Sequence, residues 1–284
     1  MLVNLKTLLQ DATQKKYAVG MFTTPNVPMA EAVIDAAEQI NAPVIIGQAQ
    51  LYDEFGPIEK YGPYFVKLAQ EAKVPVCVHL DHGTSLDYIM KAIRVGYTSV
   101  MADFSTLPFE ENARMVRMCV EMCHSIGVSV EGLCGRMPSV QMVATNKDLN
   151  LRDFYTKPDE LQRFVELTGA DAMTVSFGTI HGMKVQQPVL DLSLLKELQE
   201  ASDCALVMHG SSGVEPNQLH EAITLGLRKI NVYTAPSTSA ESALKEAFAK
   251  TDEPYYIHEL IDISKRRISE VVKDYIRIFG NGNF

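Results

Sequence analysis

The chain has 284 residues, which suits either two average domains or one α/β barrel of about 250 residues. Hydrophobic residues make up 46% and charged residues 21%, so the composition excludes a disordered, collagen-like or coiled-coil protein. The net charge of −9 argues against a nucleic-acid partner, because binding many phosphates needs a basic surface, but it allows an anionic small molecule.

Short β-branched apolar runs alternate with longer amphipathic stretches along almost the entire chain, as expected for βαβ units around a parallel sheet. In chain order, the predicted strands are 18–22, 43–47, 76–80, 99–102, 128–133, 172–177, 205–208 and 229–232. The predicted helices are 29–40, 61–72, 86–95, 109–126, 158–168, 194–201 and 217–225. Eight strands predict a (β/α)8 TIM barrel, since a doubly wound sheet more often has about five to seven strands and a glycine-rich first turn.

Two segments do not follow this alternation. A stretch of some twenty residues after 128–133 has no clear periodicity, which is typical of a functional lid. The tail 237–284 is helical by pattern and longer than a barrel requires, so we expect it to pack on the outside or against another subunit. Because the chain contains no linker or low-complexity segment, we predict a single barrel domain over 1–284 with this C-terminal helical extension.

Neither a membrane span nor a signal peptide is predicted. No window approaches the ~20 apolar residues of a transmembrane helix, and lysines and an acid interrupt the first sixteen residues. The five cysteines lie in apolar segments without C-x-x-C spacing, and their number is odd. They are therefore interpreted as reduced, mostly buried thiols of a cytoplasmic protein with no membrane partner.

Three histidines occupy equivalent places in the pattern. His82, His181 and His209 are each followed by glycine near the carboxyl end of a predicted strand, whereas the other four lie inside a strand or on helices. Three imidazoles that converge from separate strands, with one position left open, form the ligand set of a catalytic zinc site. The alternative is that they are hydrogen-bonded polar residues of a barrel mouth.

Three carboxylates accompany these histidines. Asp103 ends the fourth predicted strand and Glu131 lies in the fifth. Each could orient a histidine, serve as an additional metal ligand, or hydrogen-bond loop N–H groups. Asp81 directly precedes His82, so its carboxylate can reach the same cavity, which suits a general acid or base; a helix-capping or loop carboxylate is the alternative.

Two turns form a candidate phosphate site. The G-S-S-G turn at 210–213 follows the seventh strand, and N-V-Y-T at 231–234 ends the eighth, where barrels commonly bind phosphate through backbone N–H groups. A glycine after the sixth strand adds backbone access. The candidate residues are Gly182, Gly210, Ser211, Ser212, Asn231, Val232, Tyr233 and Thr234.

The sequence resembles the class II, zinc-dependent ketose-bisphosphate aldolases, particularly their fructose- and tagatose-bisphosphate branch, almost from end to end. The segments that carry the resemblance are H-L-D-H-G at 79–83, L-P-F-E-E-N at 107–112, V-S-V-E at 128–131, G-T-I-H-G at 178–182, H-G-S-S-G at 209–213 and K-I-N-V at 229–232.

This resemblance implies a cytoplasmic lyase of carbohydrate metabolism, such as glycolysis. It implies that His82, His181 and His209 bind Zn²⁺, that Asp81 is the proton donor, and that the turns described above hold the substrate phosphate. The substrate is then a phosphorylated ketose, cleaved to dihydroxyacetone phosphate and an aldehyde through an enediolate. A monovalent cation such as Na⁺ or K⁺ and a homodimer or homotetramer are further expectations.

The chain departs from the family pattern where the rest of the sugar would bind. After Glu131 it reads G-L at 132–133 instead of Ala-Glu, and the following loop lacks the family's acid, which is implicated in proton abstraction. The usual family residues are also replaced at three other places: T-T-P-N at 23–26, Lys184, and A-P-S at 235–237. Two alternatives therefore stay open: a non-catalytic sugar-phosphate-binding homologue, and a metal-dependent sugar-phosphate isomerase or epimerase.

A Schiff-base aldolase is the other known strategy, and it needs a lysine inside the barrel near the mouth. The sixth predicted strand contains no lysine, and Lys229 is predicted at the start of its strand, at the wrong end. The sequence therefore favours metal-dependent chemistry.

Overall fold

The structure is a computed structural model, and it describes residues 1–137, 145, 150–180 and 188–284. The strands are β1 (Leu2–Val3), β2 (Val19–Thr23), β3 (Val44–Ala49), β4 (Val76–Gly83), β5 (Ser99–Ala102), β6 (Ser129–Leu133), β7 (Ala172–Thr174), β8 (Ala205–Met208) and β9 (Leu227–Val232). The α-helices are α1 (Leu5–Lys15), α2 (Val27–Gln39), α3 (Ile58–Glu71), α4 (Leu86–Arg94), α5 (Phe109–His124), α6 (Pro158–Thr168), α7 (Leu192–Ala201), α8 (Pro216–Thr224), α9 (Thr234–Phe248) and α10 (Ile257–Gly280). Short 3₁₀ helices span Gln50–Tyr52 and Leu151–Phe154.

Strands β2 to β9 form a closed, all-parallel barrel. Each pairs with the next in chain order, and β9 pairs back with β2. The strands are buried on both faces, because one face fills the barrel interior and the other packs against the surrounding helices. The predicted TIM barrel is therefore confirmed.

Helix α1 closes the amino end of the barrel and was not predicted. Asn4 caps it by accepting a 3.0 Å hydrogen bond from the backbone N–H of Thr7. Its leucines pack against barrel-interior residues, including Met21 and Ile45. Only three leucines among polar residues mark this helix in the sequence, and β1, which pairs with β4, has just two residues.

The C-terminal helices lie outside the barrel, as predicted. Helix α10 packs against α2 and α9 through a face that includes Ile268, Val272 and Ile276, and Lys265 forms an ion pair with Glu31 of α2. Within the described ranges, no helix is long and apolar enough to cross a membrane. Much of the predicted lid lies outside the described residues, which omit 138–144 and 146–149.

One strand boundary changes an earlier interpretation. Strand β9 begins at Leu227 rather than 229, so Lys229 is its third residue and not its first. The side chain of Lys229 is completely buried among polar groups. The prediction that it lies at the amino end, away from the polar interior, is therefore wrong.

Candidate active site

A cavity of about 670 Å³ opens at the carboxyl ends of the barrel strands. Most of the predicted site residues line it: Asp81, His82, Asp103, His209, Gly210, Ser211, Ser212, Asn231, Val232, Tyr233 and Thr234. Glu131 lies just below, inside the barrel. His181 and Gly182 fall outside the described residues. The barrel topology thus brings together predicted site residues that lie at the ends of β4, β5, β8 and β9 and are far apart in the sequence.

A strand irregularity presents two consecutive side chains to this cavity. Neighbouring residues of a regular strand point to opposite faces, yet both Asp81 and His82 line the cavity. The register between β4 and β5 shifts between Leu80 and Gly83, and His82 has a φ of 49°. This left-handed conformation costs a residue with a Cβ on the order of 1 kcal/mol, which the surrounding structure must offset.

The imidazole of His82 is oriented by Asp103. Its Nδ1 lies 2.6 Å from Asp103 Oδ2, and Ser105 donates to the other carboxylate oxygen. Burial raises the pKa of Asp103, but the hydrogen bond and charge of His82 and the hydrogen bonds from Ser105 together outweigh it and lower the pKa to about 2. The ionised carboxylate can only accept, so Nδ1 of His82 carries a proton. Burial lowers the pKa of His82, but the carboxylates of Asp81 and Asp103 outweigh it and raise the pKa. The neutral form of His82, which is the form that binds a metal, presents a lone pair on Nε2.

The imidazole of His209 is held from the opposite side. Its Nε2 lies 3.2 Å from Glu131 Oε1, and burial lowers the pKa of this histidine overall. In the tautomer in which Nε2 donates to this carboxylate, Nδ1 presents a lone pair. Nδ1 of His209 then faces Nε2 of His82 at 3.1 Å.

This arrangement fits a metal ion. Two facing lone pairs repel unless a proton or a cation lies between them, and two nitrogens on a tetrahedral zinc ion are about 3.3 Å apart. Asp81 completes a group of three possible donors, with Oδ1 at 3.8 Å from His82 Nε2. That Oδ1 is buried and has no hydrogen-bond partner among the described residues. The donor set is therefore suited to a cation.

A second polar layer lies beneath the histidines. Glu131 accepts a 2.7 Å hydrogen bond from Thr174 and pairs with Lys229 Nζ at 2.8 Å. Lys229 also donates to the side chain of Asn231 at 2.7 Å, and the amide of Asn231 lies 3.0 Å from His209 Nε2. Burial raises the pKa of Glu131, but Lys229 and the histidines outweigh it and hold it well below its usual range. Glu131 is thus an ionised carboxylate that orients His209.

The two candidate phosphate turns are tied together. Ser211 Oγ donates to the Asn231 carbonyl at 2.6 Å, and Ser212 Oγ accepts from the Ala235 backbone N–H at 3.3 Å. Gly210 has a φ of +70°, and a Cβ there would clash with the carbonyl oxygen of Ile180. Helix α9 begins at this place, so its N-terminal N–H groups add to the attraction for an anion.

A larger, open cleft of about 960 Å³ lies at the opposite end of the barrel, between α1 and the segments that precede β7 and β8. Its most buried charge, Asp171, is already bound by His124 at 2.8 Å, Lys6 at 3.3 Å and the Val130 N–H at 2.9 Å. No group of possible metal donors occurs there in the described part of the chain. The chemistry therefore belongs to the smaller cavity.

Eight residues that line the active cavity were not among the predicted site residues, and they include Thr23, Tyr52 and Met137. Thr23 directly follows the predicted first strand, 18–22, and could have been found from that position. Tyr52 lies in a 3₁₀ helix without a periodic pattern, and Met137 follows β6 in an irregular segment. Neither had a signal beyond its proximity to a strand end.

Comparisons with known proteins agree with this geometry. The family model for class II fructose-bisphosphate aldolase matches residues 3–283. The fructose-bisphosphate aldolase of Thermus caldophilus is 33% identical over 99% of both chains, and a probable fructose-bisphosphate aldolase of Bacillus subtilis is 34% identical over 99% of both. The crystal structure of the YdjI aldolase of Escherichia coli K12 superposes with a TM-score of 0.88, at 34% identity, over 100% of this chain and 99% of that one.

Proposed function

Because the chain belongs to the class II fructose-bisphosphate aldolase family, whose members are lyases, we propose that it is a zinc-dependent enzyme that cleaves and forms a phosphorylated ketose. The proposed substrate resembles fructose or tagatose bisphosphate, and the carbon nucleophile is the enediolate of dihydroxyacetone phosphate. One observation carries the proposal: two oriented imidazole nitrogens face each other at 3.1 Å beside a buried carboxylate.

His82 Nε2 and His209 Nδ1 are the proposed zinc ligands, with His181 as the third on the strength of the sequence pattern. When bound, Zn²⁺ supplies Lewis-acid polarisation of substrate oxygens. Asp103 and Glu131 keep the outer ring nitrogens protonated, so we assign them to orientation rather than to direct ligation. A monovalent cation as a second ion stays a prediction from the family resemblance.

Asp81 is the proposed proton carrier. Burial raises the pKa of its carboxyl, but the charges of His82, His209 and Lys229 outweigh it and lower the pKa, so Asp81 is ionised at neutral pH. In the cleavage direction it accepts the proton of the hydroxyl group that becomes the aldehyde. In the addition direction the new carbon–carbon bond forms at the aldehyde carbon, and the aldehyde oxygen takes the proton from Asp81.

The phosphate end of the substrate is assigned to the two linked turns. The described cavity lining contains no lysine or arginine, so the described residues can hold the phosphate through backbone N–H groups, serine hydroxyls and the N-terminus of α9. This accounts for an anionic substrate on a chain with a net charge of −9. A cytoplasmic homodimer or homotetramer remains our expectation for the assembly.

One observation favours a second candidate function. Leu133 lines the cavity where the family pattern has a glutamate, and its side chain is almost completely buried. A chain that lacks this glutamate, and also the proton-abstracting acid of the following loop, could bind a sugar phosphate without turning it over. Such a homologue would show stabilisation by a ketose phosphate but no cleavage.

The test is a panel of phosphorylated ketoses assayed for cleavage with zinc added or chelated. We expect cleavage that depends on zinc and falls about 10²- to 10⁴-fold in Asp81→Asn, with zinc still bound. The matched control is Asp87→Asn, whose side chain is 79% exposed on α4. Cleavage that survives the chelator overturns the proposal, and stabilisation without any cleavage favours the non-catalytic homologue.

A further inference from the structure

Two tyrosines close one side of the cavity. Tyr52 ends the 3₁₀ helix after β3, and Tyr233 directly follows β9. Strand β2 lies between β3 and β9, and the two rings meet across its carboxyl end with centroids 5.2 Å apart and planes tilted by 44°. Both rings line the cavity that contains Asp81, His82 and His209. The pair therefore forms an aromatic wall over β2.

The wall has an apolar face and a polar tip on the reacting side. Burial, a hydrogen bond to Tyr233 and the negative charge of Asp81 all raise the pKa of Tyr52. The Tyr52 phenol therefore stays protonated and can donate a hydrogen bond near the proposed proton carrier. Tyrosine rings pack well against C–H groups, and their hydroxyl groups can bind a sugar hydroxyl.

The charge of the cavity limits what can lie against this wall. The proposed phosphate turns occupy the β8 and β9 side. The rest of the described lining has two acids, Asp81 and Asp103, and apolar side chains such as Leu51 and Leu133, with no lysine or arginine. A second phosphate there would lose its hydration and gain no cation from the described lining, which is costly.

We propose that Tyr52 and Tyr233 form the subsite for the aldehyde-derived end of the substrate, and that they select an uncharged polyhydroxy aldehyde over a phosphorylated one. This inference rests on the proposed aldolase function, and it replaces the bisphosphate-like substrate with a ketose that carries a single phosphate. Tyr233 can still offer its backbone N–H to the substrate phosphate, because only its side chain takes part in the wall.

The first experiment compares two aldehydes with the zinc-loaded full chain. Condensation of dihydroxyacetone phosphate is measured with D-glyceraldehyde and with D-glyceraldehyde 3-phosphate. We expect kcat/KM to favour the uncharged aldehyde by about tenfold or more, since the phosphate must be desolvated without a partner. A preference for the phosphorylated aldehyde overturns the inference and leaves the aldolase function intact.

The second experiment uses variants of the wall. Tyr52→Ala should lower kcat/KM for glyceraldehyde about tenfold, and Tyr52→Phe about threefold. Tyr64→Ala and Tyr64→Phe are the matched controls, because Tyr64 is 63% exposed on α3 and lies outside the cavity lining. If the Tyr52 variants and the Tyr64 variants give the same ratio of the two aldehydes, the wall does not select.

A third measurement separates the two possible failures. Exchange of the dihydroxyacetone phosphate C–H proton with deuterated solvent needs no aldehyde, so it reports the first half of the reaction alone. We expect Tyr52→Ala to reduce condensation about tenfold more than it reduces exchange. Equal reductions mean that Tyr52 acts on the whole site and contradict the inference. If the zinc-loaded wild-type chain shows neither exchange nor condensation, the proposed function itself fails.

Discussion

The barrel contains two layers of buried polar residues, and the layers differ in whether their polar groups contact other protein groups or the cavity. In the lower layer, Glu131 and Lys229 pair with each other and with Thr174 and Asn231. In the upper layer, His82 Nε2 and His209 Nδ1 face each other at 3.1 Å at the floor of an open cavity. Burial of charge is therefore not enough to identify a site. The informative feature is a group of possible metal donors, Asp81, His82 and His209, that meets at the floor of a cavity.

The lower layer orients a histidine of the upper layer. Glu131 belongs to both layers. Its Oε1 accepts a hydrogen bond from Thr174 and lies 3.2 Å from His209 Nε2, while its Oε2 forms an ion pair with Lys229. A carboxylate between a lysine and an imidazole keeps its charge, so it can hold His209 in one tautomer. The two layers should respond differently to mutation: the upper through ligand binding, the lower through stability.

The largest effect should come from the upper layer. His82→Ala and His209→Ala each remove one of the two facing nitrogens, so we expect zinc affinity to fall at least about 100-fold and cleavage at least about 10⁴-fold. Zinc content after dialysis and cleavage rate are the measurements. His258→Ala is the control, because His258 lies exposed on α10. Normal zinc content in both His82→Ala and His209→Ala would contradict the prediction that the upper layer acts through ligand binding.

The lower layer should act on stability. Lys229→Met leaves Glu131 buried without its cation, which should cost about 3–5 kcal/mol of unfolding free energy. The double variant Lys229→Met/Glu131→Gln removes both charges, so it should be less destabilised than the sum of the single variants. Urea unfolding measures the three values. A loss below about 1 kcal/mol in Lys229→Met would show that the pair is not a structural element of the barrel.

The smallest effect concerns the contact between Asp103 and His82, and it depends on pH. The pKa of Asp103 is lowered from 3.8 to about 2, so its contribution is present above pH 3.8 and is lost as the pH falls towards 2. We expect Asp103→Asn to cost the metal-free protein about 2 kcal/mol near neutral pH and almost nothing at pH 2. Unfolding free energy against pH measures this. A cost that stays constant over the range contradicts the assigned ionisation.

Much of the fold was predictable because the alternation of strands and helices is visible in the periodicity. The predicted helix 158–168 and the strands 99–102 and 205–208 coincide with α6, β5 and β8. The carboxyl ends of those strands then place the site residues at one face, because parallel barrel strands end together. Topology therefore brings the strand ends that carry Asp81, His82, Asp103 and His209 to one cavity.

What could not be predicted depends on depth and on local backbone geometry. A two-residue difference in the start of β9 moved Lys229 from a strand end into the polar interior. The wall formed by Tyr52 and Tyr233 joins a loop to a strand end across a third strand, so no spacing in the sequence reveals it. The role of Glu131 was left open among three interpretations, and only its distances to His209 and Lys229 favour orientation.

The left-handed backbone of His82 matters for anyone who wishes to transplant this site. Copying Asp81 and His82 onto a regular strand of another barrel would turn one of them to the outside, because consecutive residues alternate. The transferable unit is therefore the irregular turn from Leu80 to Gly83 together with the neighbouring strand that carries Asp103. A designer would have to choose a host by the register of its strand pairs before choosing any side chain.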